Sequence, residues 1–226
     1  MNVAIIAAAG QGKRFGGEKL KQFLAFSGKP LIIHTLERFE KCREIDETIL
    51  VLPGEEIENF LELSKTYNFK KNIKVVAGGK SRAESVCNGL MAIDAATAEI
   101  IAVHDGARPL ISPEEISQTI EKAQKTGAAC LVASVTDTIK EVSNNKIVRT
   151  IDRTNLRRAL TPQAFQYKIL RRAFAKDNFD PAATDESFLV EKLGIKVSPV
   201  EGNAQNIKIT TPQDLVLAES LLKDFR

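Results

Sequence analysis

A glycine-rich stretch that directly follows a short apolar run constrains the fold of this chain more than any other feature. Residues 2–8 are almost entirely apolar and are expected to form a buried strand, and residues 9–17 follow with four glycines. Glycine lets the backbone approach a ligand closely because it has no Cβ. Lys13, Arg14 and Lys21 add cations on or beside this loop. The pattern predicts a phosphate-binding turn at the end of the first strand.

Two familiar phosphate-binding loops fit this stretch poorly. In a Walker loop, the Gly-Lys pair is followed by Ser or Thr, but Gly12-Lys13 is followed by Arg14, which offers no hydroxyl for magnesium. In the dinucleotide loop the third glycine comes earlier than Gly16, and an acidic residue ends the second strand. Residues 51–54 contain no such acid. A dehydrogenase is therefore a weak alternative.

The rest of the chain alternates between strand-like and helix-like segments. Strands are expected at 47–52, 73–77, 100–103, 128–135, 195–200 and 206–209. Helices are expected at 30–41, 55–67, 81–94, 113–127 and 167–176, from 184 onwards, and after 211. This alternation is typical of an α/β fold with a mostly parallel twisted sheet and helices on both faces. We expect a single domain over residues 1–226.

One segment departs from this alternation. Residues 138–142 and 146–151 are β-like and flank Ser143-Asn144-Asn145, where asparagine tolerates the positive φ of a tight turn. We expect a protruding hairpin, a β-arm at about residues 137–158. Since an isolated hairpin is marginally stable in water, it needs a surface to pack on, and a second copy of the chain is a natural candidate.

Composition excludes several classes of protein. The chain is 43% hydrophobic and 27% charged, so a packed core is expected. A net charge of +3 without a dense basic run gives no reason to expect nucleic-acid binding. No apolar run reaches about eighteen residues, so no membrane span is expected, and the strand at the N-terminus leaves no room for a signal peptide. The odd set of three cysteines, without a C-x-x-C pair, indicates free thiols, and the default location is the cytoplasm.

Nine short motifs then follow one another along nearly the whole chain. They are Ala8-Ala9-Gly10, Lys21-Gln22-Phe23, His104 to Pro109, Asp137-Thr138, Asp152-Arg153, Leu160 to Gln163, Thr184 to Glu186, Glu201-Gly202 and Asn206 to Lys208. Together they resemble the 2-C-methyl-D-erythritol 4-phosphate cytidylyltransferases of the non-mevalonate isoprenoid pathway, which have a Rossmann-like nucleotidyltransferase fold. Two positions depart from the family pattern: Leu20 stands where proline is usual, and Gly106 where alanine is common.

The resemblance implies a CTP-dependent reaction. A phosphate oxygen of 2-C-methyl-D-erythritol 4-phosphate would attack the α-phosphorus of CTP, releasing pyrophosphate and forming 4-diphosphocytidyl-2-C-methyl-D-erythritol. Such transfers depend on alignment and on neutralising negative charge. By position, four residues match the family's catalytic cations: Arg14, Lys21, Arg153 and Lys208.

The resemblance also implies the binding residues and partners. CTP would contact Ala8, Ala9, Gly10, Gly12, Gly79 and Ser85. The acceptor would contact Asp105, Arg108, Thr138 and Thr161. Mg²⁺ would lie near Asp105, held mostly by substrate phosphates. The partners implied are CTP, a sugar-alcohol phosphate and a second copy of the chain, in a homodimer formed through the β-arm, so that Thr138 and Arg153 would serve the neighbour's site.

Other interpretations remain open from sequence. The acceptor could be another polyol phosphate such as ribitol 5-phosphate, whose cytidylyltransferases share several of these motifs. A non-catalytic nucleotide-binding module would not need the charged residues that follow the strands. Asp105 could simply cap the turn after its strand, and His104 is expected to be a packed core residue. For Asp185 and Glu186 the sequence suggests only helix capping.

Overall fold

The computed structural model describes residues 1–10 and 20–223. The strands are β1 (Asn2–Ala7), β2 (Ala25–Phe26), β3 (Lys29–Pro30), β4 (Glu47–Leu52), β5 (Asn72–Ala77), β6 (Ile100–Asp105), β7 (Ala128–Ser134), β8 (Ile139–Ser143), β9 (Lys146–Ile151), β10 (Arg157–Gln166) and β11 (Ser198–Glu201). The α-helices are α1 (Leu31–Lys41), α2 (Ile57–Ser64), α3 (Arg82–Met91), α4 (Pro113–Thr126), α5 (Tyr167–Ala173), α6 (Glu186–Lys192) and α7 (Pro212–Lys223). Short 3-10 turns lie at Lys21–Phe23 and Gly54–Glu56.

A seven-stranded sheet forms the centre, in the order β11-β7-β10-β6-β1-β4-β5. All neighbouring strands are parallel except β10, which runs antiparallel between β6 and β7. The apolar strands β1, β4 and β6 lie side by side, as expected for strands covered on both faces. The predicted α/β fold with a mostly parallel sheet is therefore confirmed.

One strand was missed and one predicted strand was wrong. Strand β10 was not predicted, because its first half is polar and it contains Pro162, which argues against a central strand. The pairing of β10 with β7 shifts register between Ala159 and Gln163, and this irregularity accommodates the proline. Residues 206–209 were predicted as a strand but join no ladder. Their backbone bonds elsewhere instead: the Asn206 carbonyl accepts from the Arg108 side chain, and the Ile209 N–H donates to the Ala107 carbonyl.

Helices cover both faces of the sheet because alternate strand residues point to opposite sides. Ala4 and Ile6 contribute to a core shared with α1 and α4. Val3 and Ile5 point the other way, into a core shared with α3, α5 and α6. The other predicted helices and strands are present, with their ends shifted by a few residues.

The strand order places a crevice at one edge of the sheet. The chain runs from β1 outward through β4 to β5, and then crosses back so that β6 lies on the other side of β1. The carboxyl ends of these four parallel strands meet at the same edge. In α/β sheets this point of reversal is where ligands bind.

The segment predicted as a hairpin forms the antiparallel pair β8 and β9. Asn144 and Asn145 have the positive φ values, 49° and 59°, that the turn requires. Apolar side chains stand exposed on this pair: Val142 is 61% exposed, Ile147 66% and Val148 58%. The hairpin thus presents an unusual amount of apolar surface to water.

Candidate active site

A pocket of about 840 Å³ opens at the carboxyl ends of β1, β4, β5 and β6. Its walls are the segments that follow these four strands, together with the 3-10 turn at Lys21 and the extended segment before α7. The lining residues are Ala7, Ala8, Ala9, Gly10, Lys21, Gln22, Pro53, Gly54, Glu55, Gly78, Gly79, Lys80, Ser81, Arg82, Ser85, Asp105, Gly106, Ala107, Lys208 and Thr210. The pocket is large enough for a small-molecule substrate or cofactor.

Close backbone approaches shape the floor of the pocket. A Cβ on Gly78 would lie 2.2 Å from the Ala9 Cβ, so the loops after β1 and β5 touch only because this residue is glycine. A Cβ on Gly106 would lie 2.8 Å from the Ala8 Cβ. Alanine at position 106 would therefore push the loop after β1 away.

The wall formed by residues 78–85 is held by a helix cap. The Ser81 hydroxyl accepts from the Glu84 N–H at 3.1 Å and caps the helix predicted to begin here. The Glu84 carboxylate turns to the Lys80 N–H at 2.7 Å, one residue earlier than in a standard capping box. The Ser85 hydroxyl accepts from the Gly79 N–H and donates to the Ser81 carbonyl, at 3.1 and 2.9 Å. These bonds fix the backbone of the loop that lines the pocket.

Asp105, the last residue of β6, is the centre of the charged part of the pocket. Its carboxylate accepts from Arg82 Nε on Oδ1 at 3.1 Å, and from Arg108 Nε at 3.1 Å and Lys208 Nζ at 3.0 Å on Oδ2. Its side chain is 8% exposed. Burial alone would raise the pKa of Asp105, but the cations Arg82, Lys208 and Arg108 outweigh it and hold this pKa well below its usual range.

A second carboxylate lies behind Arg82. Glu186, at the start of α6, accepts from Arg82 Nη1 at 2.5 Å and from Nη2 at 3.1 Å, and it is 1% exposed. Burial disfavours the charged form of Arg82, but the two carboxylates outweigh this and raise its pKa. Burial raises the pKa of Glu186, and the guanidinium opposes that shift. Three cations and two carboxylates leave this cluster with one net positive charge beside the pocket.

Arg82 and Glu186 were missed as members of the site. Helix capping, the role that the sequence suggested for both acids, belongs to Asp185 alone, whose Oδ1 accepts from the Phe188 N–H at 3.0 Å. Glu186 uses its carboxylate for Arg82 instead. The sequence did hold one signal: Arg82 directly follows the cap of α3 and lies between Gly79 and Ser85, two residues expected to contact CTP.

His104 and Thr161 lie beneath the pocket and support Asp105. The Thr161 hydroxyl accepts from the Asp105 N–H at 3.1 Å. It donates to His104 Nδ1 at 2.9 Å, because the other nitrogen of the neutral ring faces a carbonyl, which can only accept. His104 Nε2 then carries the proton and donates to the Arg108 carbonyl at 3.1 Å. Burial lowers the pKa of His104 to about 4, so the imidazole is neutral at pH 7. The prediction of a packed histidine is confirmed, and its partners are now identified.

The structure brings together only part of the predicted site. Eight predicted residues line the pocket: Ala8, Ala9, Gly10, Lys21, Gly79, Ser85, Asp105 and Lys208. Arg108 stands just behind them, bonded to Asp105 and to the Asn206 carbonyl at 2.8 Å. Thr161 is 4% exposed, and its hydroxyl is engaged inside the protein, so it supports the pocket from below. Gly12 and Arg14 lie outside the described residues.

Two other predicted residues lie elsewhere. Thr138 and Arg153 are exposed, flank the β8–β9 hairpin, and do not line the pocket of their own chain. The Arg153 guanidinium donates to the Thr136 carbonyl. Their assignment to the acceptor thus requires a site other than the one in the same chain.

The residues around the pocket fit a metal ion only in a limited way. Within residues 1–10 and 20–223, no three His, Cys, Asp or Glu side chains are grouped as metal ligands. Asp105 is the acid at the charged end, and both of its oxygens already accept from cations. These residues fit a magnesium ion that enters together with the substrate and is coordinated mainly by its phosphate oxygens, as is common for Mg²⁺ bound to triphosphates.

The arrangement suits a phosphate substrate. Glycine-rich backbone surrounds one end of the pocket, and Lys21, Arg82 and Lys208 reach the same cavity. Fixed cations in a recessed site stabilise negative charge that develops during phosphoryl or nucleotidyl transfer. The fold and this pocket define an α/β nucleotidyltransferase.

Comparisons with known proteins narrow that class. A family model described as 2-C-methyl-D-erythritol 4-phosphate cytidylyltransferase matches residues 2–224. Proteins of that name from Bacillus licheniformis and Endomicrobium trichonymphae are each 46% identical to this chain, covering 97% and 98% of it and 94% and 99% of the relative. The chain belongs to the 2-C-methyl-D-erythritol 4-phosphate cytidylyltransferase family.

Solved structures agree with this assignment. A 4-diphosphocytidyl-2C-methyl-D-erythritol synthase from Anaerococcus prevotii superimposes with a TM-score of 0.85 at 32% identity, covering 98% of this chain and 96% of that one. The cytidylyltransferase of the same family from Thermus thermophilus gives a TM-score of 0.79 at 33% identity, covering 97% of this chain and 98% of that one.

In the part of the chain that the structure describes, no helix has the length and apolar character needed to cross a membrane.

Proposed function

We propose that this enzyme transfers CMP from CTP to 2-C-methyl-D-erythritol 4-phosphate, releasing pyrophosphate and forming 4-diphosphocytidyl-2-C-methyl-D-erythritol, a step of isoprenoid precursor synthesis. The observation that carries the proposal is the cationic cluster around Asp105 at the end of a glycine-lined pocket, in a chain of this family. Both substrates are phosphate esters, and the pocket presents fixed positive charge to both.

The nucleotide would lie along the loops after β1 and β5. The backbone of Ala8, Ala9 and Gly79, with the Ser85 hydroxyl behind it, would face the cytosine, because backbone groups can distinguish its amino group from a carbonyl. The triphosphate would extend toward Lys21 and the glycine-rich loop. From its sequence motif, Arg14 is proposed to act with Lys21 in stabilising the negative charge on the five-coordinate α-phosphorus.

The attacking phosphate would bind at the other end of the pocket, against Lys208. Two anionic groups must approach closely for this reaction, and a lysine whose ammonium is positioned by Asp105 offsets their repulsion. Arg108 Nε donates to the same carboxylate oxygen, Oδ2, at 3.1 Å, and so helps to fix the oxygen that holds the ammonium. The oxygen of the acceptor phosphate then attacks the α-phosphorus in line with the departing pyrophosphate oxygen.

Magnesium is proposed as a companion of the substrate rather than a resident of the protein. Asp105 supports that assignment, because both of its carboxylate oxygens already accept from cations. When bound with CTP, the ion supplies charge neutralisation of the triphosphate.

The three cysteine thiols, which form no disulfide, support a reducing, cytoplasmic location.

A homodimer formed through the β8–β9 hairpin completes the proposal. Three exposed apolar side chains on a two-stranded sheet support a partner surface there. Thr138 and Arg153 flank the hairpin and do not line their own pocket, which supports a role in the neighbour's pocket. A two-fold axis would give each subunit the other's arm.

Subunit mixing tests this shared site. Lys21→Ala and Arg153→Ala subunits, each nearly inactive alone, are mixed in equal amounts under conditions that allow exchange. If Arg153 acts across the interface, each mixed dimer has one site with both lesions and one with neither. Since about half of the dimers are mixed, activity should recover to roughly a quarter of wild type per subunit. No recovery despite verified exchange would exclude the shared site.

Pyrophosphate release from CTP with a panel of acceptor phosphates tests the reaction itself. We expect efficient release with 2-C-methyl-D-erythritol 4-phosphate and little with ribitol 5-phosphate or no acceptor. A preference for ribitol 5-phosphate would replace the proposed acceptor. Release that is independent of any acceptor would replace the transferase with a hydrolase.

A further inference from the structure

Glu186 lies outside the substrate pocket, yet its carboxylate is tied to the charged cluster. It is 1% exposed and accepts from both terminal nitrogens of Arg82. A buried ion pair of this kind gives little net stability compared with apolar packing of the same volume, so stability alone is a weak reason for it. What the pair does supply is a fixed plane for the guanidinium.

That plane determines where Arg82 Nε points. With both Nη atoms held by Glu186, the Nε–H is directed at Asp105 Oδ1 at 3.1 Å. The opposite oxygen, Oδ2, is then left for Lys208 and Arg108. A rotation of the carboxylate would break the bond to Arg82, so the position of the Lys208 ammonium depends on a continuous chain of contacts that begins at Glu186.

We propose that Glu186 is a positioning residue for nucleotidyl transfer: through Arg82 it orients Asp105, and so holds the Lys208 ammonium where the attacking phosphate must bind. This inference rests on the proposed function and deepens it. Arginine is required in the middle because its rigid fork bonds two carboxylates at once, which a lysine cannot do in the same geometry.

The test compares Glu186→Gln, Arg82→Lys and the double variant with wild type, using Glu191→Gln as the matched control. Glu191 lies on the same helix, is exposed, and takes no part in the ion pairs that link Glu186, Arg82, Asp105, Arg108 and Lys208. The assay is pyrophosphate release with CTP and 2-C-methyl-D-erythritol 4-phosphate, with kcat expressed per folded molecule at a temperature well below each melting transition.

We expect Glu186→Gln to lower kcat by about a hundredfold, the scale of a small misplacement of reacting groups, with little change in the KM for CTP. Arg82→Lys should have a similar effect. The double variant should be no slower than the slower single variant, because the two residues act as one unit. Glu191→Gln should match wild type.

Several results would overturn the inference. One is a wild-type kcat per folded molecule of Glu186→Gln, and another is an effect of this variant confined to the KM for CTP. A third is a double variant whose loss in kcat equals the product of the two single losses. Should Glu186→Gln fail to fold, Glu186→Asp, which keeps the charge but has a shorter reach to Arg82, decides the question by the same kcat measurement. If wild type itself transfers no CMP, the proposed function fails first, whereas an active wild type with unaffected variants rejects only the role of Glu186.

Discussion

Removing the Lys208 ammonium should abolish most of the activity while leaving the fold intact. The variant is Lys208→Met, which keeps the length of the side chain and loses its charge. Arg82 and Arg108 still pair with Asp105 in this variant, so the buried carboxylate is not left alone. The Lys208 side chain is 35% exposed, so losing its ion pair should cost at most about 1 kcal/mol of unfolding free energy.

The effect on catalysis should be much larger than the effect on stability. The cluster loses its single net positive charge at the point where two phosphate groups must meet. Removing one preorganised contact to developing charge raises the barrier by about 2.7–4 kcal/mol, or about a hundred- to a thousandfold in rate. We therefore expect kcat/KM to fall by that factor.

The assay pairs steady-state pyrophosphate release with thermal melting. Lys192→Met is the matched control, because Lys192 also pairs with an aspartate, Asp180 at 2.7 Å, but on a surface helix. It should keep wild-type activity. Near-wild-type turnover of Lys208→Met would refute the reasoning, as would an equal loss in Lys192→Met.

Three further predictions concern the pocket. Gly78→Ala should weaken CTP binding, measured by calorimetry, because its Cβ would collide with Ala9; unchanged affinity would contradict the close packing of the two loops. EDTA should stop the reaction and excess Mg²⁺ should restore it, because the ion neutralises the triphosphate and Asp105 is the acid at this end of the pocket. Full activity in the presence of the chelator would exclude the metal. The pKa of His104 is about 4 in the folded chain and 6.5 in the unfolded chain, so the unfolded chain binds more protons between these pH values. The free energy of unfolding should therefore fall by about 3 kcal/mol as the pH drops from 6.5 to 4. Urea unfolding across this range should show the loss in wild type and a shallower slope in His104→Gln.

The sequence predicted the parts of the site that follow strands. Asp105 is the last residue of a buried apolar run, and Ala8 to Gly10 follow another, so the edge where they meet could be expected from a parallel sheet. Lys21 and Lys208 were predicted from their motifs, and both line the pocket.

The missed residues depend on tertiary pairing that local patterns do not contain. Arg82 and Glu186 are separated by 104 positions and meet only because α3 and α6 pack on the same face of the sheet. Strand β10 was hidden by its polar first half and by Pro162. Its position between β6 and β7 is what places Thr161 beneath Asp105.

The central claim is that the α-phosphorus of CTP is attacked by the acceptor phosphate. Phosphorus-31 NMR of a reaction containing CTP, Mg²⁺ and 2-C-methyl-D-erythritol 4-phosphate tests it most directly. We predict loss of the acceptor monoester signal, with a pair of coupled diphosphate-diester resonances and free pyrophosphate appearing in equal amounts. Orthophosphate with CDP, or an acceptor monoester signal that persists while CTP is consumed, would contradict the assignment.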